Sequence, residues 1–108
     1  MNDILNDLYN TIIDRKRDPQ EGSYTCYLLD TGLDKILKKI GEESSETIIA
    51  AKNNAKDEIV NETCDLIFHL LVMLVDRDIQ IEDVYEELAK RAGKTGNLKQ
   101  FKQVDKNS

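Results

Sequence analysis

A chain of 108 residues is the size of one domain. Its net charge of −6 offers nucleic acid no basic face, and four Tyr and two Phe without a Trp make no platform for stacking bases. Hydrophobic residues at 40% suffice for a core while 33% charged residues keep the exterior solvated, so a soluble globular domain is expected.

Asn2 or Asp3 is placed to cap a first helix whose apolar residues Ile4, Leu5, Leu8, Tyr9, Ile12 and Ile13 repeat at helical spacing. It should end near Arg17, because Pro19, the only proline, disfavours helix just before itself. Asp18–Asp30 reads as a loop with one helical turn at Thr25–Leu29, and contains the polar cluster Glu21-Gly22-Ser23-Tyr24-Thr25. A second helix is expected from about Leu33 to Lys52, with an inner stripe of Leu33, Ile36, Leu37, Ile40, Thr47, Ile48 and Ala51. Gly41 is a poor helix former, so close packing or a ligand is expected to want no side chain there.

After a break at Asn53–Lys56, a third helix runs from Asp57 to about Val75. Its stretch Leu66–Val75 is apolar on every side apart from His69 and needs cover all round, which a second subunit would supply. A fourth helix, Glu82–Arg91, turns Val84, Leu88 and Ala92 inward. The expected fold is therefore all-α: four main helices over residues 1–93, completed by dimerisation, then a polar, Lys-rich tail over 94–108.

Two cysteines, Cys26 and Cys64, and a single His build neither a disulfide framework nor a four-ligand zinc site. Met1–Asn10 is acidic and lacks an apolar core segment, so no secretory leader is read there. Leu66–Val75 is far shorter than the roughly 20 residues a membrane-spanning helix needs. No membrane association and a cytoplasmic location are expected.

The chemistry is concentrated between Lys38 and His69. Glu43-Ser44-Ser45-Glu46 and Glu62-Thr63-Cys64-Asp65 each set two carboxylates three residues apart, on one face of a helix. Two such helices side by side gather four like charges, which a hard divalent cation, Mg²⁺ or Mn²⁺, relieves. That cation in turn suits a phosphate-bearing substrate. Glu43 falls within the apolar stripe, three residues after Ile40 and four before Thr47, with Lys39 and Glu46 on its flank. A carboxylate so buried requires a partner, either a metal or a lysine.

Glu42 points further out, as an outer ligand or plain surface. Glu58, Glu62, Asp65 and His69 form one line, in which Glu58 reads as a solvated end. His69 is either a satisfied core histidine or a group orienting a carboxylate from behind. Di-iron chemistry is disfavoured, because it uses a Glu-x-x-His step on two helices and this chain has one His.

Lys38-Lys39-Ile40-Gly41-Glu42-Glu43-Ser44-Ser45-Glu46 followed by Glu62-Thr63-Cys64-Asp65-Leu66-Ile67-Phe68-His69 resembles the all-α nucleotide pyrophosphohydrolase superfamily, whose signature is E-x-x-E then E-x-x-D. Gly22-Ser23-Tyr24-Thr25 and the run Asp65–Val72 make the chain most similar to the phosphoribosyl-ATP pyrophosphatase family of histidine biosynthesis, over residues 5–92. The resemblance implies Mg²⁺-dependent hydrolysis of the α–β phosphoanhydride of phosphoribosyl-ATP by a dimeric helical bundle. It implies metal ligation by Glu43, Glu46, Glu62 and Asp65, with Glu42 auxiliary. Lys39 and Lys52 would meet phosphate oxygens, and Ser23 and Thr25 would sit in a loop closing over the substrate. After Gly93 the chain departs from the family pattern, with Gly96-Asn97-Leu98-Lys99-Gln100 where a Gly-Leu-Glu-Glu-like helix is usual. The absence of a Cys/His zinc set argues against a fused cyclohydrolase domain. The alternatives are a house-cleaning hydrolase of nucleoside triphosphates and, from another class, a helical interaction module.

Overall fold

The computed structural model describes residues 3–93, which form five α-helices and no strand. The first, α1, spans Ile4–Arg17; the Asp3 side chain caps it, accepting from the Asn6 N–H. α3 spans Leu33–Lys52 and α4 spans Lys56–Asp76. Between them Asn53, Asn54 and Ala55 make a tight turn, with Asn54 in the left-handed region at φ 52°. So short a turn folds α4 back along α3, and this pair shares the largest interface of the fold. α5, Ile81–Ala92, closes the described chain.

Between α1 and α3 stands α2, Tyr24–Thr31, a full helix of 8 residues where sequence reading expected a loop with one turn. Both of its ends are specified locally. Ser23 caps the start, its Oγ accepting from the Cys26 N–H at 3.1 Å. Gly32 stops it at φ 108° and ψ −177°, a conformation open essentially to glycine alone, and α3 starts on the next residue.

The core gathers Tyr9 and Ile12 of α1, Leu28 of α2, Ile36 of α3, Leu71, Val72 and Val75 of α4, and Ile81 of α5. Three long-range bonds tie α1 to the end of α4 and the loop that follows it. The Tyr9 hydroxyl donates to the Ile79 carbonyl at 2.7 Å, and Lys16 Nζ reaches the Val75 carbonyl at 3.2 Å and Asp78 at 3.1 Å.

Two expectations are corrected and one is narrowed. The buried stripe of α3 is Ile36, Glu43 and Ala50, with Ile40 and Thr47 half-buried between them; Leu37 and Ile48 point outward, at 44% and 63% exposure. α3 is apolar on two faces, and the chain's own core takes only one. On α5 the inward residues are Ile81, Val84 and Tyr85, whereas Leu88 and Ala92 are exposed, because only the first turns of α5 dock. A Cβ at Gly41 would meet nothing within 4 Å, so close packing inside the chain does not account for that glycine. The Lys-rich segment 94–108 lies outside the described residues.

Candidate metal and phosphate site

The α3–α4 pairing brings the acids together. One carboxylate oxygen each from Glu43, Glu62 and Asp65 lies within 4.8 Å of the others. Glu43 is buried in the inner stripe, as its spacing predicts, while Glu62 and Asp65 are half-buried on the facing side of α4. Glu46, one turn beyond Glu43 and exposed, adjoins this group without joining its tight set of three. Its side chain meets Glu62, whose hydrogen bond and charge, in that order, hold the Glu46 carboxyl above the usual carboxylate range.

Two like charges at 4.8 Å repel by about 3.5 kcal/mol at an effective dielectric of about 20. Three such pairs approach the net stability of a whole domain, about 5–15 kcal/mol. A cation bound among the three oxygens would offset that repulsion.

Hydrogen bonding points to the cation. Glu43 Oε2 and Glu62 Oε2 are both buried and have no hydrogen-bond partner among the described residues. Leaving such oxygens unpaired is costly unless something else satisfies them. The lysine alternative is met only loosely: Lys39 Nζ lies 4.0 Å from Glu43 Oε1 and 3.7 Å from Glu42, and touches neither orphan oxygen. All donors are hard carboxylate oxygens with no His nitrogen or Cys sulfur among them, a set that fits Mg²⁺ or Mn²⁺ rather than zinc.

Around this core the other expected residues divide. Lys39 is beside the acids, its ammonium held up first by the neighbouring Tyr24 oxygen and then by Glu42 and Glu43. Glu42 is exposed and, among the described residues, pairs only with Lys39. Lys52 is the exposed last residue of α3, well beyond Glu46, and Glu58 is likewise exposed. Ser23 is occupied as the α2 cap, and Thr25 is half-buried on the same turn.

His69 is buried with both nitrogens engaged, and its partner on α4 is the Asp65 main chain rather than a carboxylate. Nδ1 lies 2.7 Å from the Asp65 carbonyl oxygen and Nε2 lies 2.9 Å from the Tyr24 hydroxyl. A carbonyl only accepts, so Nδ1 carries the proton and Nε2 accepts from Tyr24. Tyr24 is the residue sequence reading passed over. Burial pushes its hydroxyl up and the Glu43 and Asp65 carboxylates add to that, with Lys39 opposing. Its signal was its place in Gly22-Ser23-Tyr24-Thr25, between a capping serine and a threonine.

Five helices with acids from two neighbours converging on one point define an all-α protein whose carboxylate cluster could hold a metal ion. The family model described as phosphoribosyl-ATP pyrophosphohydrolase matches residues 5–92, so the chain belongs to that family. Among its relatives, the phosphoribosyl-ATP pyrophosphatase of Clostridium novyi is 50% identical, over 90% of this chain and 88% of the relative. The protein of the same description from Clostridium acetobutylicum is 54% identical, over 92% and 90%. That from Streptococcus thermophilus is 54% identical, over 94% and 97%.

Proposed function

We infer that this chain hydrolyses the α–β phosphoanhydride of phosphoribosyl-ATP to phosphoribosyl-AMP and pyrophosphate, in histidine biosynthesis. Family membership supports the reaction, and the observation that carries the mechanism is the pair of orphaned buried oxygens on Glu43 and Glu62. Glu43, Glu62 and Asp65 hold Mg²⁺, with Glu46 as the fourth ligand and Glu42 auxiliary. When bound, Mg²⁺ offsets phosphate charge and acidifies a coordinated water.

The chain's own residues do the rest. Lys39, poised between Glu42 and Glu43, supplies a positive charge to the phosphate oxygens. Tyr24's bond to His69 carries the first turn of α2, with Ser23 and Thr25, to the acid-bearing helix. Ser23 Oγ accepts from the Cys26 N–H and retains its own proton to donate to a phosphate. A carboxylate at the edge of the set, rather than one fully engaged in ligation, takes the proton of the attacking water. Lys52 meets phosphate only where a long substrate extends past the end of α3.

The assembly is a homodimer. Leu37, Ile48 and Ile49 of α3 and Val60 and Leu70 of α4 stand 37–63% exposed on the two site-bearing helices, apolar surface that a second copy would cover. No helix among the described residues is long and apolar enough to cross a membrane. Cys26 and Cys64 are unpaired, in keeping with a cytoplasmic location.

A panel assay of pyrophosphate release tests this reading: phosphoribosyl-ATP against deoxynucleoside triphosphates, each with and without Mg²⁺. Preferential, Mg²⁺-dependent release from phosphoribosyl-ATP is the expected result. Preference for the triphosphates would make the chain a house-cleaning hydrolase, and no release from any substrate would leave an interaction module.

A further inference from the structure

We propose that Tyr24 is a positioning residue of the acid site, latching the Ser23–Thr25 turn of α2 onto α4 through His69. The proposal rests on the phosphoribosyl-ATP reading for its kinetic consequence, but its geometry stands apart from that reading.

The links are short and directional. Tyr24 donates to His69 Nε2 at 2.9 Å, and His69 Nδ1–H donates to the Asp65 carbonyl at 2.7 Å. Asp65 belongs to the acid cluster through its side chain. His69 is only 4% exposed and sits in the otherwise apolar stretch Leu66–Val75. A leucine there would fill the core without needing polar partners, so what the imidazole adds is its two directed bonds. Tyr24 is 46% exposed, so its ring does little of the packing that a core tyrosine does.

α2 depends on such links. A helix of 8 residues does not hold its shape alone and stays where its neighbours fix it. Leu28, fully buried, anchors its middle. At the first turn the Tyr24 ring stacks loosely on Phe68, with centroids 6.1 Å apart, and the hydroxyl bond to His69 sets its position. Removing that hydroxyl frees the turn carrying Ser23 and Thr25, while the ring stack and the Leu28 anchor persist. Groups that grip the substrate equally before and during reaction then bind more weakly, which raises KM and spares kcat.

The test compares Tyr24→Phe, His69→Gln, His69→Leu and the Tyr24→Phe/His69→Leu double variant in the full-length protein at saturating Mg²⁺. Tyr24→Phe should raise KM for phosphoribosyl-ATP on the order of tenfold, the loss of about one hydrogen bond, with kcat within about threefold. Mn²⁺ affinity and helix content should not change, since no ligand is removed. His69→Gln keeps an acceptor for Tyr24 and should retain most of the wild-type KM. His69→Leu should match Tyr24→Phe, and the double variant should be no worse than either single one. A wild-type KM in Tyr24→Phe, a multiplicative double variant, or kcat falling together with helix content would each overturn the proposal. Amide hydrogen exchange at residues 23–26 of the substrate-free protein supplies a readout without activity. Exchange there should quicken on the order of tenfold in Tyr24→Phe, and unchanged protection overturns the latch. A wild type inactive on phosphoribosyl-ATP would defeat the proposed function, leaving the latch to be judged by exchange alone.

Discussion

Lys39 Nζ stands 4.0 Å from Glu43 Oε1, one helical turn away on α3, and Glu43 Oε2 is left without a hydrogen-bond partner among the described residues. The pair is therefore no closed salt bridge. It is a buried carboxylate half-satisfied by a lysine, with its second oxygen turned into a cluster of further acids.

That arrangement sets opposite signs for stability and activity in one substitution. Glu43→Gln removes a charge that repels Glu62 and Asp65, and its amide N–H groups give Glu62 a donor. The metal-free variant should melt at or above the wild-type temperature. Its Mg²⁺-induced rise in Tm should vanish, and turnover should fall by about 10³-fold or more. Differential scanning fluorimetry with and without Mg²⁺, beside a pyrophosphate-release assay, checks both.

Glu46 predicts the pH dependence. Its carboxyl is held above the ordinary value of 4.5, first by the hydrogen bond with Glu62 and then by that residue's charge. A raised carboxyl favours the folded state in its protonated form. Glu46 therefore adds stability below its ordinary value, and this is lost as pH rises through the higher folded-state value. Metal-free wild type should lose stability relative to Glu46→Gln across that window. Mg²⁺ should abolish the difference, and its affinity should weaken as pH falls through the same range. Urea titrations of both proteins across pH test this.

Gly32 joins α2 to α3 at φ 108° and ψ −177°, with nothing within 4 Å of a would-be Cβ. Gly32→Ala meets no clash, only backbone strain of about 1–3 kcal/mol. Equilibrium urea unfolding should register that loss, with an unchanged denaturant slope.

Ile48 and Ile49 are 63% and 58% exposed in the single chain, so charge at these positions is harmless to its core. Ile48→Glu with Ile49→Glu should yield a folded protein of half the wild-type mass in sedimentation. A monomeric wild type would remove the dimer from the account.

The acid site was legible in sequence because helical periodicity is rigid. Spacings of three and four place Glu43 in the stripe between Ile40 and Thr47, and Glu62 with Asp65 on one side of α4. Periodicity says less where a helix is apolar on two faces. Leu37 and Ile48 obey the same spacing rules as Ile36 and Ala50, and only the chain's packing tells which of these apolar residues enter its core and which stay on its surface. α2 escaped because eight residues carry a weak periodic signal, although Ser23 and Gly32 marked its limits. Missing that helix hid Tyr24, whose bond to His69 spans 45 positions of sequence that no local pattern connects.

The central claim is that acids of α3 and α4 jointly hold the cation that works on phosphate. Anomalous diffraction from crystals grown with Mn²⁺ tests it most directly. The account predicts an anomalous peak bounded by oxygens of Glu43, Glu62 and Asp65, at about 2.0–2.3 Å from each. Saturating Mn²⁺ with no peak between those three side chains would contradict it.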